Sequence, residues 1–175
     1  VGMSGEAAAA GYGAATRIEQ VVLLPVLGIN TAIISIIAQN YGAGNYERIK
    51  ESYYTAIKYA LFIMILSGIL IFITSGIIPT FFSDNLEVNH FGKKYLQISA
   101  FVLPAYPIFF LSNGFFMALK KSENALVTNF FRNILLPVIT FYVATYFMAD
   151  FNTFFWIWVV SNWIFSISLL LIVLY

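Results

Sequence analysis

Glu19 is the residue whose setting most clearly asks for chemistry. It lies at the start of a long apolar run that also holds Pro25, Gly28 and Asn30. A charge at the centre of a membrane span costs about 2.5–3.5 kcal/mol or more, so an ionisable residue in such a run marks a functional site by default. Pro25 removes one helical hydrogen bond, frees the Val21 carbonyl and is expected to kink the helix. At about 100° per residue, Asn30 falls only about 20° around the helix from Glu19, so carboxylate and amide could line one cavity. That pairing suits a proton, a sodium ion or a cationic ligand. The competing reading is plain hydration of Glu19 at the outer membrane interface. Arg17 stands two residues away and does not face Glu19 on a helix, so no direct ion pair follows.

Other polar groups sit inside apolar runs. Arg132, followed by Asn133 and Pro137, is long enough to snorkel to the interface, which competes with a role in binding. Pro104 and Pro107 precede Ser112, Asn113 and Gly114, and proline-interrupted helices are where transporter cavities tend to lie. Purely structural kinks read the same way. His90 is the only histidine and there is no cysteine, which excludes multi-histidine and thiolate metal sites. Neither GxxxxGK[ST] nor GxGxxG occurs, so the glycine-rich segments are not nucleotide loops. No Ser–His–Asp set shares a plausible depth, and no enzyme chemistry or cofactor is expected.

The elements that must position these residues follow from composition. The 175 residues are 61% hydrophobic and 10% charged, with a mean hydropathy of +0.85. Soluble domains are about 25% charged, so the expectation is an all-α polytopic membrane protein. A net charge of +1 excludes a basic nucleic-acid binder. Spans of roughly 20 apolar residues are expected at about 16–41, 54–79, 95–119, 125–148 and 153–175. Residues 1–15 read as an outer loop and the end of a preceding helix. Gly42, Ala43 and Gly44 read as a tight turn, and residues 91–95 as a short interfacial helix.

Arg48, Lys50, Lys58, Lys120, Lys121 and Arg132 flank the first and third connections, against Lys93 and Lys94 on the other side. The positive-inside rule then places those connections and the C-terminus in the cytoplasm of a cell whose plasma membrane holds the chain. Trp156 and Trp158 fit an outer aromatic belt. An odd number of spans, a start at Val1 and an end inside an apolar run read as a fragment of a larger protein.

The order of residues resembles a known family. The run Gly5-Glu6-Ala7-Ala8-Ala9-Ala10-Gly11-Tyr12-Gly13-Ala14-Ala15-Thr16-Arg17-Ile18-Glu19, then Leu24-Pro25, Gly28 and Gln39-Asn40-Tyr41-Gly42-Ala43-Gly44, is similar to the second half of the multidrug and toxic compound extrusion (MATE) family. Phe81-Phe82-Ser83-Asp84, Tyr95-Leu96-Gln97-Ile98 and Arg132 with Pro137 recur downstream in matching order.

The resemblance implies twelve helices in two six-helix lobes, of which this chain supplies five. The seventh helix and the whole first lobe would belong to the rest of the chain. It also implies an antiporter that expels organic cations, drugs or metabolites in exchange for Na⁺ or H⁺. By likeness Glu19 lines the second-lobe cavity, and Gln39 and Asn40 form a structural element before the glycine turn. Some branches carry an aspartate in the third of these helices, and none lies between residues 95 and 119. Lys120 and Lys121 stand where the family usually shows a loop glycine. Two alternatives remain: a lipid-linked oligosaccharide flippase of the same superfamily, for which only Arg17 and Arg132 supply basic cavity residues, and a non-transporting scaffold subunit.

Overall fold

The computed structural model describes residues 5–147 and 150–174, and every regular element among them is helical. Helix α1 spans Glu6–Gly42 and α2 Tyr46–Thr74, followed by a short 3₁₀ turn at Ile78–Phe81. Helices α3 (Leu86–Ser99) and α4 (Ala105–Ala118) are two halves of one broken span. Helices α5 (Ser122–Phe130) and α6 (Leu136–Tyr146) are joined by a π-helical segment at Phe131–Leu135, and α7 covers Phe151–Leu174. Among the described residues, four helices are long and apolar enough to cross a membrane: Glu6–Gly42, Tyr46–Thr74, Ser122–Tyr146 and Asn152–Leu174.

Helix α1 begins well before the expected boundary near residue 16, and residues 6–15 are its first turns rather than an outer loop. Alanine has the highest helix propensity, and Ala7–Ala10 with Ala14 and Ala15 outweigh the glycines among them. Glu6 sits in the first turn, where the helix dipole favours an anion. Packing completes the argument. A Cβ on Gly11 would lie 2.5 Å from the Val88 carbonyl and 2.9 Å from the Gly92 amide, so α1 and α3 cross backbone to backbone.

The turn after α1 falls where the glycines place it. Gly44 has φ +72°, the Asn45 N–H donates to the Asn40 carbonyl at 2.9 Å, and the Gly44 N–H donates to Tyr41 at 3.2 Å. This Schellman pattern uses up the last carbonyls of the helix. Helix α2 starts ahead of the expected residue 54 because its first turns are amphipathic. Arg48 and Glu51 pair there at 2.9 Å on the exposed face.

The largest departure is the third span, expected as one helix over 95–119 and found broken between Ser99 and Ala105. Pro104 has no N–H for the Ala100 carbonyl, and the Ala105 N–H turns to Val102 at 2.9 Å. Backbone groups freed inside a membrane must find partners. The Trp163 indole N–H of α7 donates to the Phe101 carbonyl at 2.8 Å, and the Ser166 hydroxyl donates to Ala105 at 3.1 Å. Trp163→Phe should therefore lower stability by about 1–3 kcal/mol, the cost of an unpaired carbonyl. An unchanged unfolding midpoint in detergent would show that the indole does not hold the break.

Residues 91–95, expected as a separate interfacial helix, are the middle of α3. Asn85 caps that helix by accepting from the Glu87 N–H at 2.8 Å and the Val88 N–H at 3.4 Å. Helix α4 is about 21 Å long at 1.5 Å per residue, too short to span lipid alone. It lies instead at the centre, with Leu111 and Ser112 fully buried and α1, α2, α5 and α7 packed around it. Pro137 accounts for the π segment. It cannot donate to Asn133, and the Leu136 N–H reaches back to Phe131 as the helix widens. The end of the expected fourth span at Met148, and Tyr175 at the end of the fifth, lie outside the described residues.

Candidate functional site

Glu19 is buried, 7% exposed, on the face of α1 that meets α3 and α4. Both carboxylate oxygens accept short hydrogen bonds from phenols. The Tyr95 hydroxyl of α3 donates to Oε2 at 2.5 Å, and the Tyr106 hydroxyl of α4 donates to Oε1 at 2.5 Å. In an unbroken helix these tyrosines would stand about 16 Å apart along the axis. The break at residues 100–104 lets both reach one side chain.

The carboxylate faces a cavity of about 390 Å³, lined by Tyr12, Thr16, Gln20, Pro137 and Trp158 as well as the two tyrosines. One wall is aromatic. Tyr12 meets Tyr95 edge-on at 4.9 Å, Tyr95 meets Phe155 edge-on at 5.0 Å, and Tyr12 stacks on Phe155 at 5.7 Å. Rings of this kind, with a carboxylate among them, hold a cation by its charge and by its apolar surface together.

Arg132 supplies a counter-charge that acts on Glu19. Its guanidinium does not extend to the interface, the simpler sequence expectation. The carbon at its centre lies 4.2 Å from the Phe109 ring centroid, 4.9 Å from Tyr106 and 5.7 Å from Phe110. The π segment turns Arg132 inward onto α4, where cation–π contact replaces water.

The remaining candidates are dispersed. Asn30 shares the angular position of Glu19 but not its depth and is not on the cavity wall. Its side chain abuts Gly114, and its buried Oδ1 has no partner among the described residues. Asn113 donates to the Thr128 hydroxyl at 2.9 Å and accepts from Asn129 at 2.9 Å, tying α4 to α5. Arg17 is exposed. Pro25 is exposed and α1 continues through it, while Gly28 faces open space. Asn40 bonds its own helix at the Ile36 carbonyl, 2.8 Å, and Gln39 is exposed. Gly42 and Gly44 belong to the turn. Pro107 is buried in α4, and Pro104 lines a second, apolar groove.

The sequence reading missed Tyr95 and Tyr106. A tyrosine on either side of Pro104, the second followed at once by Pro107, is the signal that was available. Tyr95→Phe and Tyr106→Phe should each remove a charge-assisted bond worth about 1.5–3 kcal/mol. Because both phenols share one carboxylate, the double variant should lose measurably less than the sum. Strict additivity in a double-mutant cycle of ligand affinity would show that they do not act through Glu19.

A buried carboxylate and an aromatic cavity at a broken helix define one part of a helical multi-pass membrane protein with an internal cavity. The chain matches the MatE family over residues 1–143 and belongs to it. It is similar to the "FAD transporter" of Shewanella oneidensis, 27% identical over 129 residues, or 74% of this chain and 28% of that protein. It is also similar to the "Probable multidrug resistance protein YpnP" of Bacillus subtilis, 26% identical over 71% of this chain and 28% of that protein. The fold is that of the Vibrio cholerae MATE transporter VcmN in its bent form, with a TM-score of 0.92 at 21% identity over 99% of this chain and 40% of that one. The chain thus spans little more than a quarter of the curated relatives it matches.

Proposed function

We propose that this chain forms part of the second lobe of a secondary antiporter that exports organic cations, drugs or metabolites in exchange for Na⁺ or H⁺. The observation that carries the reading is Glu19, buried beside an aromatic cavity with both oxygens held by phenols. As an ionised acceptor it suits two donors at once. A protonated carboxyl carries its own O–H, which competes with one of the phenols. A proton on Glu19 therefore turns one phenol from donor to acceptor, a bound Na⁺ competes with both for the carboxylate oxygens, and either change weakens the hold on Tyr95 or Tyr106, which lie on opposite sides of the break. A ligand shifts a conformational equilibrium only through its differential affinity for the two states. Here that difference arises where α3 and α4 join, so ion loading and substrate release bias the same element. Transport by alternating access follows, with no catalytic step.

The charge distribution supports a plasma-membrane location with the first and third connections and the C-terminus in the cytoplasm. The flippase and scaffold readings gain nothing from Arg17, which is exposed, whereas the aromatic cavity favours a transported ligand. The test is uptake into proteoliposomes holding the full-length protein that carries this chain, with a lipophilic organic cation and imposed Na⁺ or H⁺ gradients. FAD is included because one relative is named for it. Gradient-driven accumulation of the cation is expected. FAD movement without cation movement would replace the proposed substrate class, and movement of neither would remove the transport reading.

A further inference from the structure

A second space borders the α3–α4 break and shares no lining residue with the Glu19 cavity. It is an apolar groove of about 540 Å³ between α2, the break and α7, walled by Ile65, Ile69, Ala100, Val159 and Trp163 among others. That volume falls within the roughly 300–1,000 Å³ typical of small-ligand sites. A smaller space of about 310 Å³ adjoins it and carries more polar groups, with Lys94, Gln97 and Asn152 on its wall. Phe72, Phe101 and Trp156 line both, so the two are one slot with an apolar body and a cationic mouth.

We propose that this slot is a binding site for a zwitterionic aminophospholipid, with one acyl chain in the apolar groove and the head group at the mouth beside Lys94. The apolar body lies on helices long enough to cross a membrane, where acyl chains are the surrounding medium. Trp156 stands between body and mouth, as indoles do at the head-group level. Charge selects the head group. Lys94 is half-buried and, among the described residues, makes no direct ion pair, which leaves its ammonium for a phosphate. Asp150 stands two residues before Asn152, fully exposed. Its carboxyl lies below the usual carboxylate range because Thr153 donates to it, with Lys94 adding to the effect. The Thr153 backbone N–H donates to Oδ1 at 3.1 Å, and two carboxylate oxygens offer about four lone-pair sites, so the exposed Asp150 can still accept from an ammonium. One cation and one anion at the same mouth match phosphate and primary ammonium in one head group, whereas a purely anionic lipid would meet Asp150.

The site also couples to the break. Trp163 lines the groove and holds the Phe101 carbonyl, so an occupying chain packs against the element that positions Tyr95 and Tyr106.

Native mass spectrometry of the full-length protein, delipidated and titrated in turn with phosphatidylethanolamine, phosphatidylglycerol and phosphatidylcholine, tests the proposal. The ethanolamine lipid should bind most tightly. Lys94→Ala should weaken it by about tenfold, the scale of one lost charge-assisted bond. Ile69→Trp should weaken it similarly by filling the groove from an exposed position, and Lys58→Ala, remote from the slot, should not. Tighter binding of the glycerol lipid, or equal binding of the choline lipid, would overturn the choice of head group. Unchanged ethanolamine-lipid binding in both Lys94→Ala and Ile69→Trp would overturn the site. Competition by soluble glycerophosphoethanolamine as strong as by the lipid would show a head-group site with no role for the groove.

Discussion

Glu19→Gln should leave the full-length protein folded and membrane-inserted while weakening organic-cation binding by about 10- to 100-fold. That range corresponds to losing one charge-assisted contact of about 1.5–3 kcal/mol. The amide keeps the side-chain shape, and its oxygen still accepts from one phenol. The other phenol then meets an NH₂ group and must turn its hydroxyl to accept instead. Tyr95 and Tyr106 thus stay buried and paired, and the fold tolerates the change. What disappears is the negative charge among the rings of Tyr12, Tyr95 and Phe155. Glu19→Leu should be worse for stability, because the buried Tyr95 hydroxyl loses its acceptor. Equal cation binding by Glu19→Gln and the parent protein would show that the cavity recognises its ligand by shape alone.

Gly11→Val should be the most damaging single change to the lobe. Even the first added carbon meets backbone atoms of α3 at Val88 and Gly92, and backbone cannot rotate aside. Overpacking of this kind costs about 1–3 kcal/mol or more. The displacement lies directly beside Tyr12 and Tyr95, so the Glu19–Tyr95 bond is lost along with the packing. Gly13→Ala supplies the comparison, because that position faces open space and alanine favours the helix by up to about 1 kcal/mol. Unfolding midpoints in detergent should fall for Gly11→Val and hold or rise for Gly13→Ala. A common response would mean that α1 and α3 have room to separate.

The features legible in the sequence are those with strong local causes. The apolar runs, the glycine turn at Gly42–Gly44 and the cost of Glu19 in an apolar segment can each be read without knowing the neighbours. The features that were not legible depend on what a segment packs against. Residues 6–15 read as a loop because three glycines lie at or near them, yet Gly11 is there to let α3 approach. Asn30 differs from Glu19 in depth: helical periodicity fixes direction around an axis, while eleven residues of rise carry the side chain to Gly114. Pro104 and Pro107 signalled a weak point in the third span. That the break would turn two tyrosines onto one carboxylate is a tertiary fact, set by α1 lying across the joint. Arg132 likewise looked able to reach water, and the π segment before Pro137 turns it onto Phe109 instead.

If Glu19 is the group for which the coupling ion and the organic cation compete, binding of one must depend on the other. Equilibrium binding of tetraphenylphosphonium to the full-length protein, measured across a series of Na⁺ concentrations and again across pH, is the sharpest test. Apparent affinity should fall as Na⁺ or H⁺ rises, and Glu19→Gln should remove this dependence along with most of the affinity. A Glu19→Gln protein that keeps the parent's ion dependence would contradict this role of Glu19, and would place the competition at another group.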